Sequence, residues 1–387
     1  MSATRAVTPP DTQARVGRTG PADPRRGSTL LRHLGLAAVA ALLLVAASYG
    51  LEPFRNFQLA TVAAYLCATA GLTVLTGLNG QLSLGHGALM ATGAYTVALC
   101  QNAFADSGMT GGWLLPVSLG AAVLAALAVG AVVGVAAARL RGPYLAGVTL
   151  AVAVVVPALT VTFDGVFNGE QGLAVPVEPP PAALGVHFPY ERWQLWVTAA
   201  ATLLALLLLA NVVRSRYGRT FRAVRDDEVA ARLAGIHVAR TQVLAFVVSA
   251  AGAGLGGALL AVLAQSVSPG AFSLTLSLFL LMAVVIGGLG SLAGAAWGAV
   301  LLVALPDLTH AVTEQLTLSP AVAQRVEGNL PLAIFGLTLV VVMIAAPGGV
   351  QGLLSRLARA FSARPAGRRR PPRRRPADSR LGGGRTP

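Results

Sequence analysis

The sequence predicts an all-α, polytopic integral membrane protein, and two observations carry that prediction. Hydrophobic residues make up 55% of the 387-residue chain and charged residues only 11%, against about 25% charged in a soluble domain. The apolar residues also gather in runs of about 20, the length of helix needed to cross a bilayer.

About ten such runs are expected, at 34–51, 57–76, 82–104, 113–138, 144–163, 193–213, 243–264, 273–289, 291–306 and 331–346. The third and ninth open in glycine-rich stretches. Arg25-Arg26 ahead of the first run has the look of a twin-arginine signal, but the polytopic body that follows marks that run as a first membrane span. Orientation follows from arginine in short loops. With both termini cytoplasmic, 26 of the 29 basic residues fall on the cytoplasmic side, and only Arg55, Arg192 and Arg325 fall opposite. The expected location is the cell's inner or plasma membrane, as a multi-pass protein.

The net charge of +14 resembles a nucleic-acid signature until it is divided along the chain. Residues 1–32 contribute +4 and residues 356–387 contribute +10, while the body between them is neutral. The excess therefore sits in two Pro/Gly/Arg-rich tails too poor in apolar residues to fold. This divides the chain into a disordered basic tail (1–32), a membrane domain (33–355) and a second disordered tail (356–387). The tails read as topogenic and lipid-facing, and no nucleic-acid partner is expected.

All 29 basic residues are arginine. Without lysine there is no P-loop and no Schiff-base chemistry. Cys67 and Cys100 are too few for a zinc site or disulfide framework, and the five histidines (33, 86, 187, 237 and 310) are scattered. No catalytic residue, metal or cofactor is expected, so the chain does not read as an enzyme. None of the runs carries Asp, Glu or Arg near its middle, so a coupling-ion site is also missing. Glycines at spacing four (Gly130/Gly134, Gly252/Gly256, Gly290/Gly294/Gly298) predict close helix packing.

Two segments carry more specific information. The stretch GLNGQLSLGHGALMATGAY (77–95) holds glycines at 77, 80, 85 and 87, each weakening a helix by about 1 kcal/mol relative to alanine. Asn79, Ser83, His86 and Met90 recur at helical spacing on one face. A broken helix with neutral polar groups such as Asn79, Gln81, Ser83 and His86 can present them to a zwitterionic solute at membrane depth. Plain helix packing by the same residues is the alternative. The second segment is the loop 214–242, with seven arginines. There Asp226 can cap a short helix whose first turn holds Asp227 and Glu228. Glu228 and Arg232 stand at i, i+4, Gly235 is a suitable stop, and Ala230, Ala231 and Ala234 form a low-profile surface. A solvated loop that only fixes topology is the alternative.

The chain resembles the permease subunits of branched-chain amino acid ABC importers, of the LivM-like kind, over roughly residues 57–355. The resemblance is carried by 77–95, RLRGPYLAGVTLA (139–151), RAVRDDEVAARLAGI (222–236) and VVIGGLGSLAG (284–294). It implies half of a translocation pathway, paired with a second permease of the same family. It also implies two ATP-binding subunits docked on the 214–242 loops and an extracytoplasmic solute-binding protein. The Ala-Ala-x-x-x-Gly pattern of Ala230, Ala231 and Gly235 matches that family's ATPase-coupling helix, with Asp227 and Glu228 at its start. Val154, Pro157 and Phe279 stand where relatives often carry charged residues, and Phe279 would then meet an aliphatic tail. Urea, a short amide or another small polar solute is the alternative cargo, and a secondary transporter the more distant alternative.

Overall fold

The computed structural model describes residues 29–362 apart from 141–142, 178, 186, 316–319 and 347. The tail expectations for 1–28 and 363–387 lie outside the described residues.

Ten long helices occupy the expected runs. They are α1 (Thr29–Gly50), α2 (Pro53–Leu72), α3 (His86–Asp106), α4 (Leu114–Ala137), α5 (Pro143–Thr162), α7 (Tyr190–Arg214), α10 (Val238–Ala264), α11 (Leu274–Gly287), α12 (Leu292–Gln315) and α13 (Pro320–Ala345). The short helices are α6 (Asp164–Phe167), α8 (Arg216–Asp226), α9 (Glu228–Leu233) and α14 (Gly349–Ser362). Helix α14 carries regular structure to Ser362, into the stretch expected to be a tail from 356 onward, because its leucines recur at helical spacing. Helix α1 likewise starts at Thr29, inside the expected N-terminal tail.

Eight stretches are long and apolar enough to cross a membrane by length and composition. Helix α12 has a shorter apolar part, Leu292–Leu308. Helix α3 also falls outside that set and lies inside the bundle, with His86, Leu89, Met90, Ala94 and Val97 buried.

Helix α10 is the axis of the bundle and packs on α2, α3 and α4. The glycine string 252–257 permits this, because its glycines divide among three neighbours, with Gly252 and Gly256 both facing α2. A Cβ at Gly252 would lie 2.7 Å from the Cys67 carbonyl of α2, one at Gly254 2.2 Å from Ala126 Cβ of α4, and one at Gly257 2.0 Å from the Met90 carbonyl of α3. In lipid, where apolar side chains gain little by leaving one neighbour for another, such backbone approach supplies the packing energy. Burial follows the same order: 67% of the apolar window of α2 and 61% of that of α10 is enclosed, against 11% for α1.

The two ends of the bundle differ. At one end β1 (Leu173–Ala174) pairs antiparallel with β2 (Ser266–Val267), in the register Leu173 to Val267 and Ala174 to Ser266. Asn102, near the end of α3, donates to the Ala174 carbonyl at 2.8 Å. The other end gathers α8, α9, the start of α10, the glycines around 288–290 and the start of α14. This is the arginine-rich end.

Candidate functional site

The site is a break between α2 and α3 at the arginine-rich end. Helix α2 does not stop at Leu72 but widens into a π-helical stretch, Thr73–Leu78, a rare geometry that is frequent at functional positions. Residues 80–85 are not helical, and α3 starts at His86. The expected third run, from 82, therefore begins four residues late. The expectation that Asn79, Ser83, His86 and Met90 share one helical face is overturned for the same reason: Gly80 takes φ +76°, a left-handed conformation that ends the helix.

The irregular segment is enclosed at Gln81, Ser83 and Gly85 while Gly80 and Leu82 reach the surface, so its inward-facing polar groups need partners. Gln81 N–H donates to the Leu75 carbonyl at 3.2 Å, and the Gln81 carbonyl accepts from Thr76 Oγ1 at 3.0 Å. Leu84 N–H donates to Thr149 Oγ1 at 3.0 Å, Gly85 N–H to Ser83 Oγ at 3.4 Å, and Gly87 N–H to Ser277 Oγ at 2.9 Å. The side chains fare differently. Asn79, Gln81, Ser83 and His86 are 3%, 6%, 1% and 0% exposed. Among the described residues, both polar atoms of the Asn79 side chain and Gln81 Oε1 have no hydrogen-bond partner, and the His86 ring lies beside the Ala68 carbonyl. Buried polar groups are normally satisfied, so this concentration around one break is unusual.

Three segments far apart in sequence converge on this break. From α5, Thr149 holds Leu84 as above, and its carbonyl lies 2.6 Å from where a Gly85 Cβ would stand. From the turn between α11 and α12, the Gly290 nitrogen lies 2.3 Å from a Cβ at Gly77, so position 77 must be glycine for the chains to meet, while Gly290 is suited by its φ of +82°. From α8, Arg225 Nη1 donates to the Gly77 carbonyl at 2.8 Å, and its Cγ lies 2.8 Å from a Cβ at Gly80. A cation on a carbonyl near the C-terminal end of a helix satisfies both the open acceptor and the helix dipole.

The loop 214–242 folds into two helices rather than one. Ser215 caps α8 by accepting from Tyr217 N–H at 3.1 Å. Phe221 of α8 is fully buried in one cluster with Val74, Leu75 and Leu78 of the π-helical stretch. Asp226 ends α8, and the cap of α9 is Asp227, whose Oδ1 accepts from Val229 N–H at 2.7 Å and Ala230 N–H at 3.0 Å. The expected cap at Asp226 is thus displaced by one residue, because Asp227 takes the extended conformation a cap requires. Glu228 pairs with Arg232 at 3.4 Å and accepts from Gln242 of α10 at 3.1 Å. Gly235 (φ +82°) closes α9 with Ile236 N–H on the Ala231 carbonyl and Gly235 N–H on the Arg232 carbonyl, both at 2.9 Å. This is a Schellman motif.

The alanines of α9 do not act together. Ala231 is buried against Val224 and Val238, whereas Ala230 and Ala234 are exposed. Beside them Val229 and Leu233 are 64% and 86% exposed. The outward face of α9 is therefore apolar and unpartnered among the described residues.

Phe279 lies apart from the polar break. It is half-buried and stacks on Phe335 of α13, with ring centroids 4.9 Å apart. Ser277, two residues earlier, is the α11 residue that reaches α3. Sequence reading missed Ser277, Thr149, Phe221 and the reach of Arg225. A lone serine or threonine in an apolar run carries no signal, and an arginine among seven does not announce its partner. Among the described residues no group of His, Cys, Asp and Glu could hold a metal ion.

The described residues form an all-α, multi-pass bundle whose break between α2 and α3 is clamped by a capped two-helix loop. Residues 56–347 match the family model for the permease component of branched-chain amino acid transport systems, and the chain belongs to that family. Two relatives are the high-affinity branched-chain amino acid transport system permease proteins LivM of Escherichia coli (strain K12) and of Salmonella typhimurium. Each is 32% identical over 255 residues, covering 60% of this chain and 58% of the relative. The matched stretch thus spans little more than half of those proteins. No solved structure matches the chain.

Proposed function

We propose that this chain is the permease subunit of an ATP-binding-cassette importer and forms half of a translocation pathway for branched-chain or related amino acids. The observation that carries the reading is Arg225. It lies in the last turn of α8, two residues ahead of the α9 cap Asp227, and holds the carbonyl of Gly77 at the break, so a force on α9 reaches the buried polar segment through one side chain. In this reading ten helices cross the membrane with both termini cytoplasmic. The outward face of α9 (Val229, Ala230, Leu233, Ala234), supported from behind by Asp227, Glu228, Ala231 and Gly235, receives an ATP-binding subunit.

The remaining partners are a second permease of the same family, a second ATP-binding subunit and an extracytoplasmic solute-binding protein. Asn79, Gln81, Ser83 and His86 serve the solute path. The unpaired polar atoms of Asn79 and Gln81 are costly while enclosed, and opening of the break would let these side chains meet a zwitterion. ATP is hydrolysed by the partners, in keeping with a chain that has no lysine. A permease for urea or a short amide is the second reading, favoured by apolar Val154, Pro157 and Phe279 at positions where relatives often carry charge.

The test is uptake by the assembled complex in proteoliposomes, with a screen of amino acids, urea and short amides against the cognate binding protein. Leucine, isoleucine or valine should bind and stimulate ATP hydrolysis. Uptake by this chain alone under an imposed ion gradient would overturn the importer reading.

A further inference from the structure

We propose that α14 is an in-plane surface helix that binds the anionic lipid leaflet at the arginine-rich end of the bundle. The chain leaves α13 through a turn in which Ala346 N–H donates to Val342 and Gly349 N–H to Ala346, and Gly349 takes φ +67°. A new helix therefore starts rather than the old one continuing. Its start is pinned to the end of α11: a Cβ at Gly349 would lie 2.5 Å from Gly288 Cα. Trp297 of α12 donates its indole N–H to Gln351 Oε1 at 3.2 Å and is 45% exposed. Tryptophan with a wet polar edge is enriched where hydrocarbon meets headgroups, so α14 begins at that level.

The helix is two-faced. At 100° per residue, Val350, Leu353, Leu354 and Leu357 fall within an arc of about 100°, and Arg356 and Arg359 fall on the other side. Val350 packs against the core, but Leu353, Leu354 and Leu357 stay 47%, 39% and 46% exposed. Leucines alone do not say what covers them. Charge and level do: residues 356–387 hold eleven arginines and one acid, next to the end of a membrane span. A leucine face at the hydrocarbon boundary with arginines above it fits a phospholipid surface of negative charge. A nucleic acid would engage the arginines and leave the leucines in water. A docked protein would shield the leucines whatever the lipid charge.

The experiment uses the full-length chain, with Cys67 and Cys100 replaced by alanine, in nanodiscs of phosphatidylcholine with or without phosphatidylglycerol. A nitroxide is attached at each of Leu353→Cys, Leu354→Cys, Ser355→Cys and Leu357→Cys, and its access to oxygen and to a water-soluble nickel chelate is read. Labels at 353, 354 and 357 should be oxygen-rich and nickel-protected, and the label at 355 nickel-accessible. Phosphatidylglycerol should deepen the protected set. In 1 M salt, where the Debye length is about 3 Å, that deepening should be lost while the periodicity stays. Arg356→Gln and Arg359→Gln combined with removal of 363–387 should also abolish the lipid-charge dependence. Equal nickel access at all four positions would overturn the proposal. So would protection that ignores lipid charge, or that arises only when the ATP-binding subunits or an oligonucleotide is added.

Discussion

Arg225 divides its guanidinium between two elements 148 residues apart in the chain. Nη1 donates to the Gly77 carbonyl at 2.8 Å, while Nη2 and Nε hold Asp226 Oδ1 at 2.9 and 3.1 Å. The forked, planar group allows both at once, which the single ammonium of a lysine cannot reproduce. Asp226 is the last residue of α8 and Asp227 the cap of α9. A displacement of α9 is therefore carried to the end of the π-helical stretch without a flexible linker between them.

Arg225→Met tests this link. The methionine stem still covers Gly80, but the donors are gone. A charge-assisted hydrogen bond contributes about 1.5–3 kcal/mol, and the half-exposed position argues for the lower end, equivalent to roughly a tenfold change. The complex should assemble normally, and solute-stimulated ATP hydrolysis should fall about tenfold. Arg225→Lys should recover part of it. Unchanged stimulation in the methionine variant would show that the link carries no force.

The split character of α9 makes two neighbouring substitutions behave differently. Leu233→Glu places a charge on the outward face, where Leu233 is 86% exposed. It should leave the chain folded and weaken capture of the ATP-binding subunit. Ala231→Glu instead forces a carboxylate between Val224 and Val238, at a cost of several kcal/mol unless the loop opens. It should make 214–242 sensitive to protease in the isolated chain. Pull-down together with limited proteolysis separates the two effects, and the same outcome for both would contradict the assigned faces.

Much of the scaffold was legible because hydrophobic run length and arginine placement are local signals with strong physics behind them. The glycine string 252–257 likewise announced close packing. The helix start at His86 was not legible, since Asn79, Ser83, His86 and Met90 fit helical spacing equally well whether or not the backbone is helical. Nothing in the residues told a Cβ-free approach such as Gly77 to Gly290 from ordinary small-residue packing. The buried face of Ala231 was hidden for a related reason: two adjacent alanines point about 100° apart, and only tertiary contacts decide which one is covered. The amphipathic pattern of α14 was readable, but the surrounding arginine-rich composition masked it.

Glycine substitutions should separate sharply by location. Gly257→Val pushes side-chain atoms into the Met90 carbonyl, 2.0 Å from the new Cβ. Overpacking costs about 1–3 kcal/mol, occasionally more, and a backbone obstacle cannot rotate away. The unfolding midpoint in detergent should drop clearly, with loss of monodisperse protein as the extreme result. Gly147→Val, where nothing lies within 4 Å of the new Cβ, should leave the midpoint within error. Equal effects at the two sites would mean that α3 and α10 do not approach as closely as described.

Uptake should be indifferent to proton and sodium gradients once ATP is supplied. The acid that sits furthest inside a described helix is Asp307 of α12, and it is engaged by Gln58 of α2 near the opposite end from the arginines. A coupling site needs a titratable or carboxylate group along the path, whereas Asp307 is exposed and held by Gln58. Collapsing both gradients in proteoliposomes of the assembled complex should leave ATP-driven uptake unchanged. A dependence on either gradient that disappears in Asp307→Asn would place the energy source in this chain.

Ser83 offers the most direct view of the break. Its side chain is 1% exposed and its hydroxyl only accepts, at 3.4 Å, from Gly85 N–H, so Ser83→Cys should fold with little penalty. In a background lacking Cys67 and Cys100, the resting complex should react slowly with a small polar thiol reagent, because the side chain at 83 is enclosed although its neighbour Leu82 is exposed. If those side chains serve the solute path, ATP turnover with loaded binding protein must expose them. The labelling rate should then rise at least severalfold, and saturating solute should protect. The Arg225→Met variant should blunt the rise, since it cuts the connection between α9 and the break. A thiol that reacts equally slowly in every nucleotide state, together with full uptake by Ser83→Leu, would make the break a packing device and move the pathway elsewhere on this subunit.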